Sequence, residues 1–193
     1  RISLHPMIQE LSFTETFPSV SSCHTLLNSL HVICLVHGLE VRGPEIVIQS
    51  LISVTERIIV DNPRDYLDFL QDLFPYLEKY LVTDYLPKLV ERISYMMEQY
   101  QLNTICDRAL LLDYKAELFV LRKDFDNALK KRKKAIQLME KLHTPEADVS
   151  SASLLSNLYN NLSNTYLYLK QGKDAAQALR TAFDIRIEYA HLG

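Results

Sequence analysis

Glycine, cysteine and uninterrupted apolar runs are scarce in this chain, and each shortage excludes something. Of the 4 glycines among 193 residues, Gly38 and Gly43 are not followed by Lys and Ser or Thr, so the loop that cradles nucleotide phosphates is missing. The longest apolar stretches are interrupted by Asn28, His31, Glu56 and Arg57, which argues against a helix crossing a membrane. The 3 cysteines, Cys23, Cys34 and Cys106, fall on apolar helical faces with no secretory leader, so reduced thiols in a cytoplasmic protein are expected. An excess of basic charge is missing too. The formal net charge is -3 and the pI about 6.1, whereas duplex nucleic acid is bound by clustered cations, so nucleic acid is not an expected partner. The one basic run, Lys130, Lys131, Arg132, Lys133 and Lys134, shares a helix with inward-facing Ala128, Leu129, Ala135 and Ile136 and is expected to form a solvated outer face.

Catalytic frames are equally absent. There is no G-x-S-x-G, no H-E-x-x-H and no Cys/His pair in a recognisable setting, and the acidic residues are scattered. The helix carrying Cys23, His24, His31, Cys34 and His37 has the residue types of a metal site but the wrong spacing. His24 and His31 lie about 10.5 Å apart along a helix, too far to share a zinc ion, and His31 with Cys34 gives only two of four ligands. Neither an enzyme nor a cofactor is expected.

What the chain does have is helical periodicity, clearest in Asn160 to Ile187. Tyr159, Leu162, Tyr166 and Leu169 recur at three and four, and after a connector at Lys170 to Lys173 so do Ala175, Ala178, Leu179, Ala182 and Phe183. Alanines at such positions let two helix backbones approach closely. The pattern recurs at an offset of 47 residues, pairing Ala116 with Ser163, Phe119 with Tyr166, Ala128 with Ala175 and Ala135 with Ala182. This spacing predicts an all-α fold of eight helices in four antiparallel hairpins, at 22–38 with 44–60, 64–81 with 84–101, 104–121 with 124–142, and 150–170 with 173–191. Hairpins of this kind stack into an α-solenoid. Asn62-Pro63 reads as a cap followed by a first-turn proline, and Thr104 with Asp107 as a capping box. Tyr66 to Leu81 is apolar on most sides, so it is expected between neighbours, with a kink at Pro75.

These residues resemble the tetratricopeptide repeat, and NNLSNTYLYLKQGKDAAQAL is similar to its kinesin-light-chain-like subclass, whose long inter-repeat loop corresponds to Lys141 to Ser151. Ser163 stands where glycine is common, and Gly172 is displaced in its connector. The resemblance implies a right-handed superhelix whose first helices line a concave groove. It places Leu110, Asp113, Glu117, Val120 and Leu121 there from one repeat, and Asn157, Asn160, Asn164, Leu167 and Tyr168 from the next. Asparagine both donates and accepts, so it can clamp a peptide backbone, or it can simply satisfy helix ends and solvent.

Residues 1–16 do not match the repeat. ISLHPMIQEL resembles the end of the winged-helix region of signal-transducing ATPases with numerous domains, the STAND group; alternatively His5-Pro6 only caps a short helix. A linker is expected at 17–22 and the helical repeat domain over 23–193. The implied function is a non-catalytic interaction and sensor module excised from a larger STAND-type regulator. It would bind a peptide or protein in its groove, or other domains of the parent chain, and so bias the parent between states. The alternative is a scaffold or adaptor with no nucleotide switch. Exposed terminal hairpins would also favour a homodimer.

Overall fold

The computed structural model describes residues 19–37, 51–53, 55, 58, 60–79, 83–142 and 149–189, with the side chains of 30–37 excepted. Seven α-helices are defined there: α1 (Val20–His37), α2 (Pro63–Lys79), α3 (Leu86–Gln99), α4 (Ile105–Leu121), α5 (Phe125–Glu140), α6 (Val149–Tyr168) and α7 (Gly172–Tyr189), with a 3₁₀ turn at Thr83–Tyr85 before α3. No strand occurs among the described residues, and the fold is all-α. The opening segment 1–16 and most of the helix expected at 44–60 lie outside the described residues.

The helix ends follow local chemistry. Asn62 Oδ1 accepts from the backbone N–H of Arg64 at 3.0 Å, with Pro63 as the first helical residue. At α4 the Thr104 hydroxyl accepts from Asp107 N at 3.1 Å while Asp107 Oδ2 accepts from Thr104 N at 3.2 Å, closing the expected capping box. Helix α1 begins inside the stretch 17–22 expected as a linker. Ser19 Oγ accepts from Ser22 N at 3.1 Å, so the helix starts at Val20.

The chain divides into two compact units, residues 1–86 and 87–193. In the first, α2 is buried along its length: Tyr66, Leu67, Phe69, Leu70, Leu73, Phe74 and Leu77 all lie inside, as an all-round apolar helix requires. The α-helix runs on past Pro75 to Lys79. Cys23 and Leu27 of α1 are also buried, and His24 sets its ring edge-on to Phe69 at 5.5 Å. His24, the one histidine of the sequence cluster whose side chain is described, has Nδ1 3.7 Å from Asp72 Oδ2; the side chains of His31, Cys34 and His37 are outside the described residues. Among the described residues no three His, Cys, Asp or Glu side chains gather as metal ligands would.

In the second unit α3 buries Leu89, Val90, Ile93, Met96 and Met97 as its periodicity predicts. Tyr100, at helical spacing from Met96 and Met97, is 45% exposed because the helix stops at Gln99 and Gln101 turns into left-handed backbone at φ 53°. Helices α4 to α7 then share one core containing Ala109, Ala135, Ile136, Met139, Leu155, Leu158, Leu162, Ala178 and Ile185.

The two hairpins α4–α5 and α6–α7 are copies in detail. Ser156 Oγ donates to the Ala182 carbonyl and Ser163 Oγ to the Ala175 carbonyl, both at 2.9 Å, which places those residues opposite each other across α6 and α7. The same positions 47 residues earlier are Ala109 with Ala135 and Ala116 with Ala128, all four fully buried. Ser163 therefore fits the close approach that glycine commonly serves, because its hydroxyl finds an acceptor on the neighbouring backbone.

The turns repeat as well. Lys123 and Lys170, 47 residues apart, both adopt φ 60°. Lys123 N donates to Val120 O and Asp124 N to Phe119 O; Lys170 N donates to Leu167 O and Gln171 N to Tyr166 O. Gly172, displaced from the usual connector position, opens α7 with no atom within 4 Å of where a Cβ would stand, while Lys170 carries the left-handed conformation two residues earlier. Left-handed backbone costs an ordinary residue about 1–2 kcal/mol, and glycine gives back part of that gain as unfolded-state entropy. Lys170→Gly is thus expected to stabilise the chain by about 0.5–1 kcal/mol in urea unfolding. A loss of stability would show that the lysine side chain, rather than the backbone angle, matters at this turn.

Candidate functional site

The face of α5 turned toward α4 and α6 carries Ala128, Arg132, Ala135 and Met139, all buried, and one of them is a cation. Arg132 is only 3% exposed, against the expectation that the whole basic run is solvated; Lys130, Lys133 and Lys134 are exposed and Lys131 partly so. The burial of Arg132 has a geometric cause. Arg132 lies four residues after Ala128 and three before Ala135, on the inner stripe, where a charge survives only with partners.

Those partners come from both neighbouring helices. Arg132 Nε donates to Asp113 Oδ1 at 3.1 Å and Nη2 to Glu117 Oε2, both on α4. Its Nη1 donates to the Asn161 carbonyl at 2.9 Å and to Thr165 Oγ1, both on α6, and Asn161 Nδ2 donates to Asp113 Oδ2 at 2.8 Å. Burial pushes the Asp113 carboxyl upward, while the Arg132 charge and the Asn161 amide pull it back. The guanidinium fork matches two carboxylates on successive turns of one helix, and the network ties three helices together.

Of the ten groove residues expected from the sequence, Asp113 and Glu117 are therefore committed to this network, while Leu110 is half-buried and Leu121 exposed. Asp113 is buried, so it sits within the wall of the unit rather than on its surface. Val120 is half-buried. The five on α6 are more accessible: Asn157, Asn164, Leu167 and Tyr168 are exposed and Asn160 is half-buried. Asn157 Oδ1 accepts from Arg186 Nη2 at 3.0 Å, and the Tyr168 ring stacks on Phe125 at 5.0 Å with planes 12° apart. Arg186 Nε also donates to Ser156 Oγ at 2.9 Å, so the asparagine row is backed by α7.

Tyr159, the first aromatic of that helix, donates to Glu140 Oε1; burial, then the Glu140 carboxylate, holds its hydroxyl well above the usual tyrosine range. It joins α6 to the end of α5. On the far side, α6 and α7 form an open pocket of 490 Å³ lined in part by Asn160, Leu179, Arg180, Phe183 and Arg186. Leu179 and Phe183 look inward by their sequence spacing, yet they are 51% and 61% exposed, because no described helix packs over them.

Arg132, Asn161, Thr165 and Ser156 did not stand out in the sequence. Arg132 alone left a signal, as the one member of the basic run at inner-stripe spacing. Among the described residues no helix is long and apolar enough to cross a membrane.

No protein-family model matches the chain, and no curated protein matches it. Among solved structures, the crystal structure of BtubC (BKLC) from P. vanneervenii is similar at 12% sequence identity, over 87% of this chain and 89% of that chain, with a TM-score of 0.39.

Proposed function

We propose that the chain is a non-catalytic recognition module that binds a peptide or protein segment along α6. The observation that carries this reading is the row Asn157, Asn160, Asn164 and Leu167 on one helix, polar groups interleaved with an apolar one and open to solvent for most of its length. Carboxamides in that setting offer donors and acceptors to an extended main chain with little demand on its side chains. The helix beneath them is held by the Arg132 network and by the two serine bonds to α7, so the row is presented on a rigid support.

The test is selection of a random-peptide phage library on the chain, followed by calorimetric titration of the selected peptides. Replacing Asn160 and Asn164 by alanine is expected to weaken those peptides by about 1–3 kcal/mol, through the bonds the bound backbone would lose, with the thermal melt unchanged. Peptides that bind the variant equally well would overturn the assignment to α6.

We further propose that this module belongs to a STAND-type regulator, in which occupancy of α6 shifts the parent between closed and active states. The support is the ISLHPMIQEL resemblance at residues 2–11, ahead of the helical region. The coding sequence upstream should then encode a G-x-x-x-x-G-K-[ST] loop after a strand. An upstream region with no such loop would leave a scaffold or adaptor as the function.

A further inference from the structure

With Arg132 drawn inside, the remaining cations of α5 and its C-cap form an outer face of lysines. Lys130, Lys133, Lys134 and Lys141 are exposed and Lys131 partly so, with the following hairpin α6–α7 already in place. Lys130 stands at three- and four-residue spacing from Lys133 and Lys134, as Lys131 does from Lys134, where like charges oppose the helix. The carboxylates nearby are committed elsewhere. On α4, Asp107 closes the capping box with Thr104, while Asp113 and Glu117 hold Arg132. On α5, Glu140 accepts from the Tyr159 hydroxyl, and Asp126 in the first turn is the remaining acid. Helix α6 has no charged residue among its 20. None of the five lysines makes an ion pair among the described residues, and Lys133 instead lies over the Tyr166 ring at 5.5 Å. The fold does not require such a face. Helix α7 completes the same kind of hairpin with Gln177, Ala178, Arg180, Thr181 and Glu188 at the equivalent places, 47 residues on.

We infer that this outer face of α5 is a docking surface for a short acidic segment of a partner protein, sharing no residue with the α6 row. From Lys130 to Lys141 it runs about 16 Å along the helix axis, the reach of about five residues of extended chain. Carboxylates on such a segment meet ammonium groups whose flexible stems set no strict geometry. Other occupants fit less well. A membrane surface would need apolar side chains beside the lysines, and α5 exposes no large one. Duplex nucleic acid carries one charge per about 1.7 Å, so it would run past the patch onto a chain whose net charge is -3 even with these lysines counted. The guanidinium that could fork onto phosphate, that of Arg132, is buried. The chain's own connector 143–148 brings two carboxylates, Glu146 and Asp148, too few for five lysines.

The probes are two fluorescein-labelled peptides of about ten residues, one alternating Glu with Ser and the other Gln with Ser, titrated with the full chain and read by anisotropy. The Glu peptide is expected to bind at about 50 mM salt and at least about fivefold more weakly at about 200 mM, and the Gln peptide not to bind. The quadruple variant Lys130→Gln, Lys133→Gln, Lys134→Gln and Lys141→Gln should weaken the Glu peptide by about tenfold or more, with the thermal melt unaltered because all four side chains are exposed. A matched variant reads location. Arg122→Gln, Lys123→Gln, Lys170→Gln and Lys173→Gln together remove as much charge from the two hairpin turns, and they should change binding by less than about twofold. The inference is overturned if the Glu peptide fails to bind, if the Gln peptide binds as well, or if the two quadruple variants weaken binding equally. It is also overturned if a short DNA duplex, or vesicles of phosphatidylcholine with phosphatidylserine, bind more tightly than the Glu peptide through the same lysines. Binding that appears only after Glu146→Gln and Asp148→Asn would make the chain's own connector the occupant, and would overturn it equally.

Discussion

Replacing Arg132 by alanine is expected to lower the unfolding free energy of the chain by about 3–5 kcal/mol, the largest single effect predicted. The guanidinium is 3% exposed and lies between the carboxylates of Asp113 and Glu117, whose side chains are 11% and 15% exposed. Without it, two negative groups face each other across one helical turn inside the unit, and the Asn161 carbonyl and Thr165 hydroxyl lose a donor. The cost arises from stranding these groups, not from the intrinsic strength of the ion pairs. That distinction is testable. The triple variant Arg132→Met, Asp113→Leu and Glu117→Met removes every charge together, and it should recover most of the loss, since apolar replacement of a whole buried network is often neutral or stabilising. Urea unfolding followed by circular dichroism reads both. A loss below about 1 kcal/mol for Arg132→Ala would mean that water reaches the site and the network contributes little.

Ala135→Leu is expected to cost about 1–3 kcal/mol or more, through overpacking. Ala135 is fully buried and stands opposite Ala109, equally buried, at the register marked one repeat later by the Ser156 bond to the Ala182 carbonyl. The extra side-chain atoms can be housed only by moving α4 and α5 apart. Separation would disturb the Arg132 bonds to Asp113 and Glu117, which reach across the same two helices. Gln137→Leu, two residues along the same helix but exposed, should change stability by no more than about 0.5 kcal/mol. Equal effects of the two leucines in a thermal melt would contradict the close approach of α4 and α5.

The helices themselves were legible because their causes are local. A three-and-four spacing of apolar residues, an asparagine before a proline, and a threonine three residues ahead of an aspartate each act within a few residues. The observed starts at Pro63 and Ile105 lie within one residue of the expected ones. The repeat was legible for a related reason. A small residue recurring at a fixed offset reports a backbone contact that tolerates nothing larger, and Ala128, Ala135, Ala175 and Ala182 proved to be such contacts.

The polar groups were not legible in the same way, since the sequence shows which face a side chain occupies but not what stands opposite. Lys131 and Arg132 are chemically similar neighbours, yet one is partly exposed and the other is enclosed by Asp113, Glu117, Asn161 and Thr165, two of which lie 29 and 33 residues away. Asp113 read as a groove residue from its repeat position, but that position is open only where no further helix covers it. Leu179 and Phe183 share the helical spacing of the buried Ala175, Ala178 and Ala182, and only packing shows that they are themselves exposed. Sequence alone thus determined the described helices, the pairing of α4 with α5 and of α6 with α7, and the small residues between them, all consequences of local propensity and steric limits. Tertiary structure decided which charges are buried and which apolar stripe is left open, because both depend on groups brought together from separate helices.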